Sequence, residues 1–124
     1  MKATYIIWGK VKQGKKRGKN LGFPTLNMVL HRSLPEGIYI SETKINKKSY
    51  PSVTFIGAAK TFGEKDFKAE TYLLDHDLNG YGQWISVRLL KKIRDNQAFK
   101  SEKELIEAIT SDVLSAREFF HKLR

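Results

Sequence analysis

The 124-residue chain contains no cysteine, which excludes disulfides and thiolate metal sites and fits a reducing compartment. It has three prolines, Pro24, Pro35 and Pro51, and no stretch with the composition of a linker. No segment approaches the ~20 consecutive apolar residues of a membrane span. The start, "MKATYIIWGK", has too short an apolar run for a secretory leader and no small-residue cleavage site. The three histidines, His31, His76 and His121, show no ligand spacing, so they support neither a metal cage nor a Ser-His-Asp set. These absences leave the expectation of a cytoplasmic monomer with no membrane partner, folded as one domain over 1–124.

The most informative absence is of acid. No Asp or Glu precedes Glu36, while Lys2, Lys10, Lys12, Lys15, Lys16, Arg17, Lys19 and Arg32 all fall before it. Most of the net charge of +10 therefore sits in the first third of the chain. Such a field draws polyanions: nucleic acid, phosphoinositides, or the phosphates of a nucleotide. The alternative is a solvated basic face that keeps the protein soluble.

What is present reads as strands first and one helix last. Residues 4–11, 38–45, 50–57, 67–74 and 84–91 carry β-rich or alternating patterns, with a glycine-rich basic loop over 12–25. "LPEG" and "NKKS" are turn signals, the second joining a hairpin. In the last strand Ile85, Val87 and Leu89 share one face and Ser86 and Arg88 the other. Ser101 and Glu104 fit a capping box. Beyond it Leu105, Ile109, Val113, Ala116, Phe120 and Leu123 form the apolar stripe of a helix over about 102–122. Short strands followed by one long helix predict a closed or nearly closed antiparallel barrel with the helix packed on it.

Several segments carry candidate chemistry. "GKVKQGKK" nearly matches the P-loop pattern. It puts Lys16 where a hydroxyl is needed, and the glycines and proline that follow cannot begin a good helix. Gly14, Gly18 and Gly22 bracket the basic run and could let backbone N–H groups approach an anion; a flexible surface loop is the alternative. In "PTLN", Thr25 and Asn27 point the same way in extended backbone. Their neutral oxygens suit Mg²⁺ when bound phosphate supplies the charge, or else they satisfy local backbone groups. Glu70 lies mid-strand, sharing a face with Tyr72 and Leu74. If that face lines a cleft, partial burial would raise the glutamate's pKa and suit it to general base work; an exposed position paired with Lys68 or Arg88 is the alternative. "KKIRDNQAFKS" sets Arg94, Asp95 and Phe99 where the barrel meets the helix start, either as a wall for a planar ring or as a connector with Phe99 as a hydrophobic staple.

The order of these pieces resembles the riboflavin kinase (flavokinase) family, the kinase domain that also forms the C-terminal half of bacterial bifunctional FAD synthetases. The resemblance is carried by "GKVKQGKKRGKNLGFPTLN", "LPEGIYI", "FIGAAKTFGE", "AETYLLD", "NGYG", "LLKKIRDNQAFKS" and "LIEAITSDVLSAREFF", which cover nearly the whole chain. It implies a mainly β fold, a six-stranded antiparallel Greek-key barrel with a C-terminal α-helix. It implies transfer of the γ-phosphate of ATP to the 5′-hydroxyl of riboflavin, giving FMN and ADP. By the same resemblance Thr25 and Asn27 would bind Mg²⁺, and Gly14, Lys15, Arg17, Gly18, Lys19 and Gly22 would wrap the nucleotide. Glu70 would be the general base, and Phe23, Arg94, Asp95 and Phe99 would lie near the flavin.

The chain departs from the family pattern in four places. Leu26 replaces a usual alanine, Phe55 a usual asparagine or serine, "AKTF" a usual R/N-P-T-F, and Tyr72 a frequent histidine. Leu26 is expected to point away from the phosphates, since its neighbours point toward them. No adenylyltransferase half is present, so FAD synthesis by this chain is not expected; it is either a single-function kinase or a piece of a longer protein. Two other readings compete. One is a flavin-binding pseudokinase. The other is a small basic barrel for single-stranded nucleic acid, with Trp8 and Trp84 among the stacking aromatics. The kinase reading carries no nucleic-acid partner.

Overall fold

The computed structural model describes residues 2–12, 21–58 and 67–123. Six strands come in order: β1 (Tyr5–Lys10), β2 (Leu26–Leu30), β3 (Gly37–Ile45), β4 (Lys48–Ala58), β5 (Phe67–Leu73) and β6 (Trp84–Arg94), followed by helix α1 (Glu102–Lys122). The sheet order is β1-β6-β3-β4-β5-β2, every neighbouring pair antiparallel. The two end strands are joined by an isolated bridge between Lys12 and Asn27, so the sheet curls into a nearly closed barrel. The barrel and its C-terminal helix are as the sequence predicts.

Local chemistry explains most of the boundaries. The β3–β4 hairpin turns on Asn46 and Lys47, both with positive φ (50° and 69°), the two-residue geometry whose twist matches that of the strands. Helix α1 begins at the N-cap Ser101, whose hydroxyl accepts from the Glu104 N–H at 3.2 Å. The return arm of the capping box reaches the Lys100 N–H, one residue earlier than the usual partner. β2 is the strand that periodicity missed. It has only five residues and begins two after Pro24, just past the loop expected over 12–25.

Inside the barrel, Ile7, Met28, Ile56, Ala69, Leu73, Val87 and Leu89 form a dry core. A chain of five buried hydroxyls runs through it, Thr43–Ser52–Ser41–Thr54–Thr71, with O···O distances of 2.7–2.9 Å. The three middle hydroxyls each bond two neighbours and the two end ones bond one, so none is left without a partner in the low-dielectric interior. A second apolar cluster lies outside the barrel wall. There Ile38, Ile40, Val53 and Leu74 meet Val113 and Ala116 of α1, with Phe23, Phe55, Tyr72 and Phe120 around them. β3 is therefore apolar on both faces over part of its length, one face to the barrel and one to the helix.

Leu26 is 7 % exposed and belongs to the barrel core, pointing away from Thr25 and Asn27 as expected. Its extra bulk is accommodated opposite Gly80. A Cβ there would lie 3.3 Å from Leu26 Cδ2 and 3.4 Å from Val11 Cγ2, so a glycine's missing side chain makes the room.

Candidate active site

The site forms where the outer face of β5 meets the helix. Strand alternation sends Ala69, Thr71 and Leu73 inward, at 0–3 % exposure, and leaves Glu70 and Tyr72 half-buried on the other side. The cleft lined by the glutamate face is thus on the barrel's outer wall, beneath α1.

Register then lines up a row across five strands. Asn27 of β2 is opposite Glu70 of β5, Glu70 opposite Phe55 of β4, Phe55 opposite Ile38 of β3, and Ile38 opposite Arg94 of β6. Paired residues in an antiparallel sheet share a face, so these five side chains project on one side. The next row adds Tyr72, Val53 and Ile40.

A cavity of about 270 Å³ sits over this surface, a little below the ~300 Å³ at which small-molecule sites usually begin. Thr25, Glu70, Arg94, Asn96, Gln97 and Asp112 supply its polar wall, and Phe23, Ile38, Val53, Phe55, Tyr72, Phe99, Leu105 and Ile109 its apolar one. Phe23 packs edge-on against Tyr72, with centroids 5.4 Å apart. Phe55 folds back over Gly57, where a Cβ would meet its ring at 2.7 Å and Asn96 Nδ2 at 2.9 Å. Asn96 in turn donates to the Ile56 carbonyl, which pins the connector onto β4.

Glu70 is about one-third exposed and stands 3.6 Å from Lys68. Of the two partners considered for it in sequence, Lys68 is the neighbour; Arg88 pairs with Glu42 at 3.5 Å instead. Thr25 faces the cavity. Asn27 donates from its Nδ2 to the Thr25 carbonyl at 3.2 Å and stands opposite Glu70 in the sheet, but it is not among the residues that line the cavity. The neutral oxygens of Thr25 at the cavity and of Asn27 beside it fit an Mg²⁺ ion that arrives with nucleotide phosphates, since the phosphates bring the anionic ligands. A cage of protein anions is not what these residues offer: among the described residues no cluster of three or more His, Asp or Glu could hold a metal.

Arg94 is held on two sides. Its Nε and Nη2 each donate to the Asp112 carboxylate at 2.8 Å, and its guanidinium carbon lies 5.7 Å from the centre of the Phe99 ring. Asp112 is 5 % exposed in the middle of α1, so sheet and helix are joined by a two-pronged, nearly buried ion pair. Sequence reading missed Asp112. Its signal was an acid set beside the helix's apolar stripe, three residues after Ile109 and next to Val113.

The remaining sequence candidates divide. Phe23, Thr25, Glu70, Arg94 and Phe99 come together around the cavity. Asp95 does not: its side chain points to solvent and binds Lys92 at 2.6 Å. That hydrogen bond holds the Asp95 carboxyl below the usual range and the Lys92 ammonium above its own. Gly22 adopts φ +90° with open space around its α-carbon, so its backbone conformation, rather than lack of room, calls for glycine. Gly14, Lys15, Arg17, Gly18 and Lys19, like the "AKTF" segment, lie outside the described residues. A larger hollow of about 440 Å³, between Pro51, Leu74 and the Arg117–His121 end of α1, contains none of the candidates.

Comparison with known proteins gives a consistent result. A profile of the flavokinase (riboflavin kinase) family matches residues 1–120. The bifunctional riboflavin kinase/FMN adenylyltransferase of Escherichia coli is 40 % identical over 119 residues, 94 % of this chain and 38 % of that protein. Its Bacillus subtilis namesake is 37 % identical over 126 residues, 97 % of this chain and 40 % of that protein. The trifunctional protein RibF/MnmA of Mycoplasmoides gallisepticum is 38 % identical over 121 residues, 95 % of this chain and 18 % of that protein. The chain thus spans two-fifths or less of the length of these relatives. Among solved structures, riboflavin kinase from Trypanosoma brucei superposes with a TM-score of 0.65 at 25 % identity, covering 94 % of this chain and 80 % of that one. A Streptococcus pneumoniae protein described as a macrolide-efflux protein superposes with a TM-score of 0.82 at 29 % identity, covering 90 % and 38 %. No helix among the described residues is long and apolar enough to cross a membrane.

Proposed function

Because the chain belongs to the riboflavin kinase family, we propose that it transfers the γ-phosphoryl group of ATP to the 5′-hydroxyl of riboflavin, giving FMN and ADP. The observation that carries this reading is Thr25 and Glu70 on the polar wall of a cavity whose other walls are aromatic and aliphatic, with Asn27 the cross-strand partner of Glu70. A ligand with a planar ring system at one end and a hydroxylated chain at the other suits such a split lining.

In this reading the ring lies against Phe23, Tyr72 and Phe99, with Arg94 held in place by Asp112. The ribityl chain runs toward Glu70. The carboxylate accepts the proton of the 5′-hydroxyl as its oxygen attacks the γ-phosphorus, and the bond to the bridging oxygen breaks to release ADP. Thr25 and Asn27 would hold Mg²⁺, which supplies positive charge to the phosphates when bound. Gly22 and the basic run before it would cover the nucleotide. Asp95, engaged with Lys92 at the surface, contributes through the connector's shape or through neighbours, not by lining the cavity. The protein is read as a cytoplasmic monomer acting on small molecules.

The test is direct. Incubation with riboflavin, ATP and Mg²⁺ should yield FMN and ADP in equal amounts, read by chromatography. Riboflavin binding without FMN would establish the pseudokinase reading instead.

A further inference from the structure

The outer surface of β1 and of the first residues of β6 contributes none of the residues that line the cavity. Along β1, Ile7, Gly9 and Val11 face inward, while Ile6, Trp8, Lys10 and Lys12 are exposed. Register sets Lys10 opposite Trp84 and Trp8 opposite Ser86, with Lys44 of β3 opposite Ser86 on the other side. Trp8 and Trp84 are therefore diagonal neighbours, with α-carbons roughly 7–8 Å apart for such positions. Trp8 is 66 % exposed and Trp84 71 %, and neither ring stacks on another aromatic among the described residues. Residues so large and apolar are seldom left this open without a partner. Trp84 lies ten residues before Arg94 on β6, while at the barrel's closure Lys12 pairs with Asn27, so the β1 end of this face adjoins the site.

Charge indicates what kind of partner. β1 and β6 contain no acid, and β3 contributes only Glu42, which is engaged with Arg88 at 3.5 Å. Lys10, opposite Trp84, and Lys44, opposite Ser86, flank the indoles on a protein of net charge +10. Burial against a second copy would oppose lysine to lysine, and interface centres are depleted of such charges. An anionic chain with planar groups meets both demands. The α-carbon spacing of about 7–8 Å exceeds the 3.4 Å rise per base of a duplex strand, which suits an extended strand with unstacked bases.

We propose that this face binds single-stranded nucleic acid, with Trp8 and Trp84 stacking on bases and Lys10 and Lys44 meeting phosphates. It departs from the sequence expectation of no nucleic-acid partner, and it differs from the kinase reading in its residues, since Trp84 and Lys44 lie at the opposite ends of β6 and β3 from Arg94 and Ile38.

Trp8 and Trp84 are the chain's two tryptophans, so intrinsic indole emission reports from this face alone. The experiment titrates the protein with a 12-nucleotide oligouridylate. The expected result is saturable quenching that weakens steeply with salt, with no quenching by heparin or by a duplex of equal length. In fluorescence anisotropy with the labelled oligonucleotide, Trp8→Ala and Trp84→Ala should each weaken binding by roughly 5- to 150-fold. Lys10→Glu should make the logarithmic salt slope shallower by roughly 0.7. Circular dichroism and thermal melting of each variant should match wild type, since both indoles are exposed. Absence of saturable quenching at low salt would overturn the proposal. So would equal quenching by heparin, which would mark a general polyanion patch, or unchanged anisotropy in both tryptophan variants. Concentration-dependent dimerisation that the tryptophan variants abolish would assign the face to a second copy. Failure of FMN production would leave this result standing, and failure here would leave the kinase reading standing.

Discussion

Asn27 of β2 stands directly opposite Glu70 of β5, so an amide and a carboxylate forty-three positions apart in the chain share one face of the sheet. The pairing makes a candidate metal ligand the cross-strand neighbour of a candidate base that lines the cavity. Glu70→Gln keeps the size and the hydrogen-bonding reach while removing the base. We expect kcat for FMN formation to fall roughly 10²- to 10⁴-fold with riboflavin affinity little changed. Steady-state kinetics alongside flavin-fluorescence binding checks both; an unchanged kcat would remove Glu70 from the role.

Thr25→Val and Asn27→Leu delete the oxygens assigned to the metal while keeping shape. Each should raise the Mg²⁺ concentration needed for half-maximal activity by roughly 10- to 100-fold, the worth of a contact to a charged group. Riboflavin binding measured without nucleotide should not move. Magnesium titration of the reaction rate separates the two effects.

Asp112 and Arg94 test how the helix is held. Asp112→Ala strands a largely buried guanidinium and should cost about 3–5 kcal/mol in urea unfolding. Replacing both partners, Arg94→Met with Asp112→Leu, should cost much less, because neither charge is then left unpaired. The double variant should nonetheless lose riboflavin affinity, since Arg94 lines the cavity. A double variant that binds riboflavin normally would reduce the pair to a structural tie.

Leu26 is assigned to packing alone. Leu26→Ala should destabilise by about 2–5 kcal/mol through the cavity it leaves, with kcat/KM nearly unchanged. Gly80→Ala in the wild-type background should also destabilise, because its Cβ would press on Leu26 and Val11. Combined, the two changes should be less harmful than their sum. Thermal unfolding of the four proteins measures this coupling.

Asp75 and Arg117 join the end of β5 to α1 through two hydrogen bonds, of 2.6 and 2.8 Å. The Arg117 guanidinium holds the Asp75 carboxyl below the usual carboxylate range. A carboxyl whose native pKa is depressed adds stability above its unfolded value of about 3.9, and that stability is lost as pH falls through the native value. Asp75→Asn suits the test, because residue 75 has φ +62° and asparagine tolerates that region. The urea midpoint of the variant should lie below wild type at pH 6 and converge with it as the pH drops below about 4. A gap that persists in acid would mean that the pair contributes through something other than charge.

Sequence alone determined the elements whose causes are local. The Asn46–Lys47 turn, the Ser101 cap and the α1 stripe depend on residues one to four positions apart, where periodicity and backbone preference act. Alternation also set Glu70 and Tyr72 on the face opposite Ala69 and Thr71. Tertiary structure decided which face was inside. Both faces of β5 meet apolar surfaces, the barrel core on one side and α1 on the other, so alternation could not say that Glu70 lies on the outer wall. It decided that β2 is a strand, because five residues after a proline pair only when β5 is beside them. It gave Arg94 its partner eighteen residues away and turned Asp95 to solvent. The motif "PTLN" named Thr25 and Asn27, but strand register, a long-range product of hydrogen bonding across the sheet, put Asn27 beside Glu70 and buried Leu26 between its two polar neighbours.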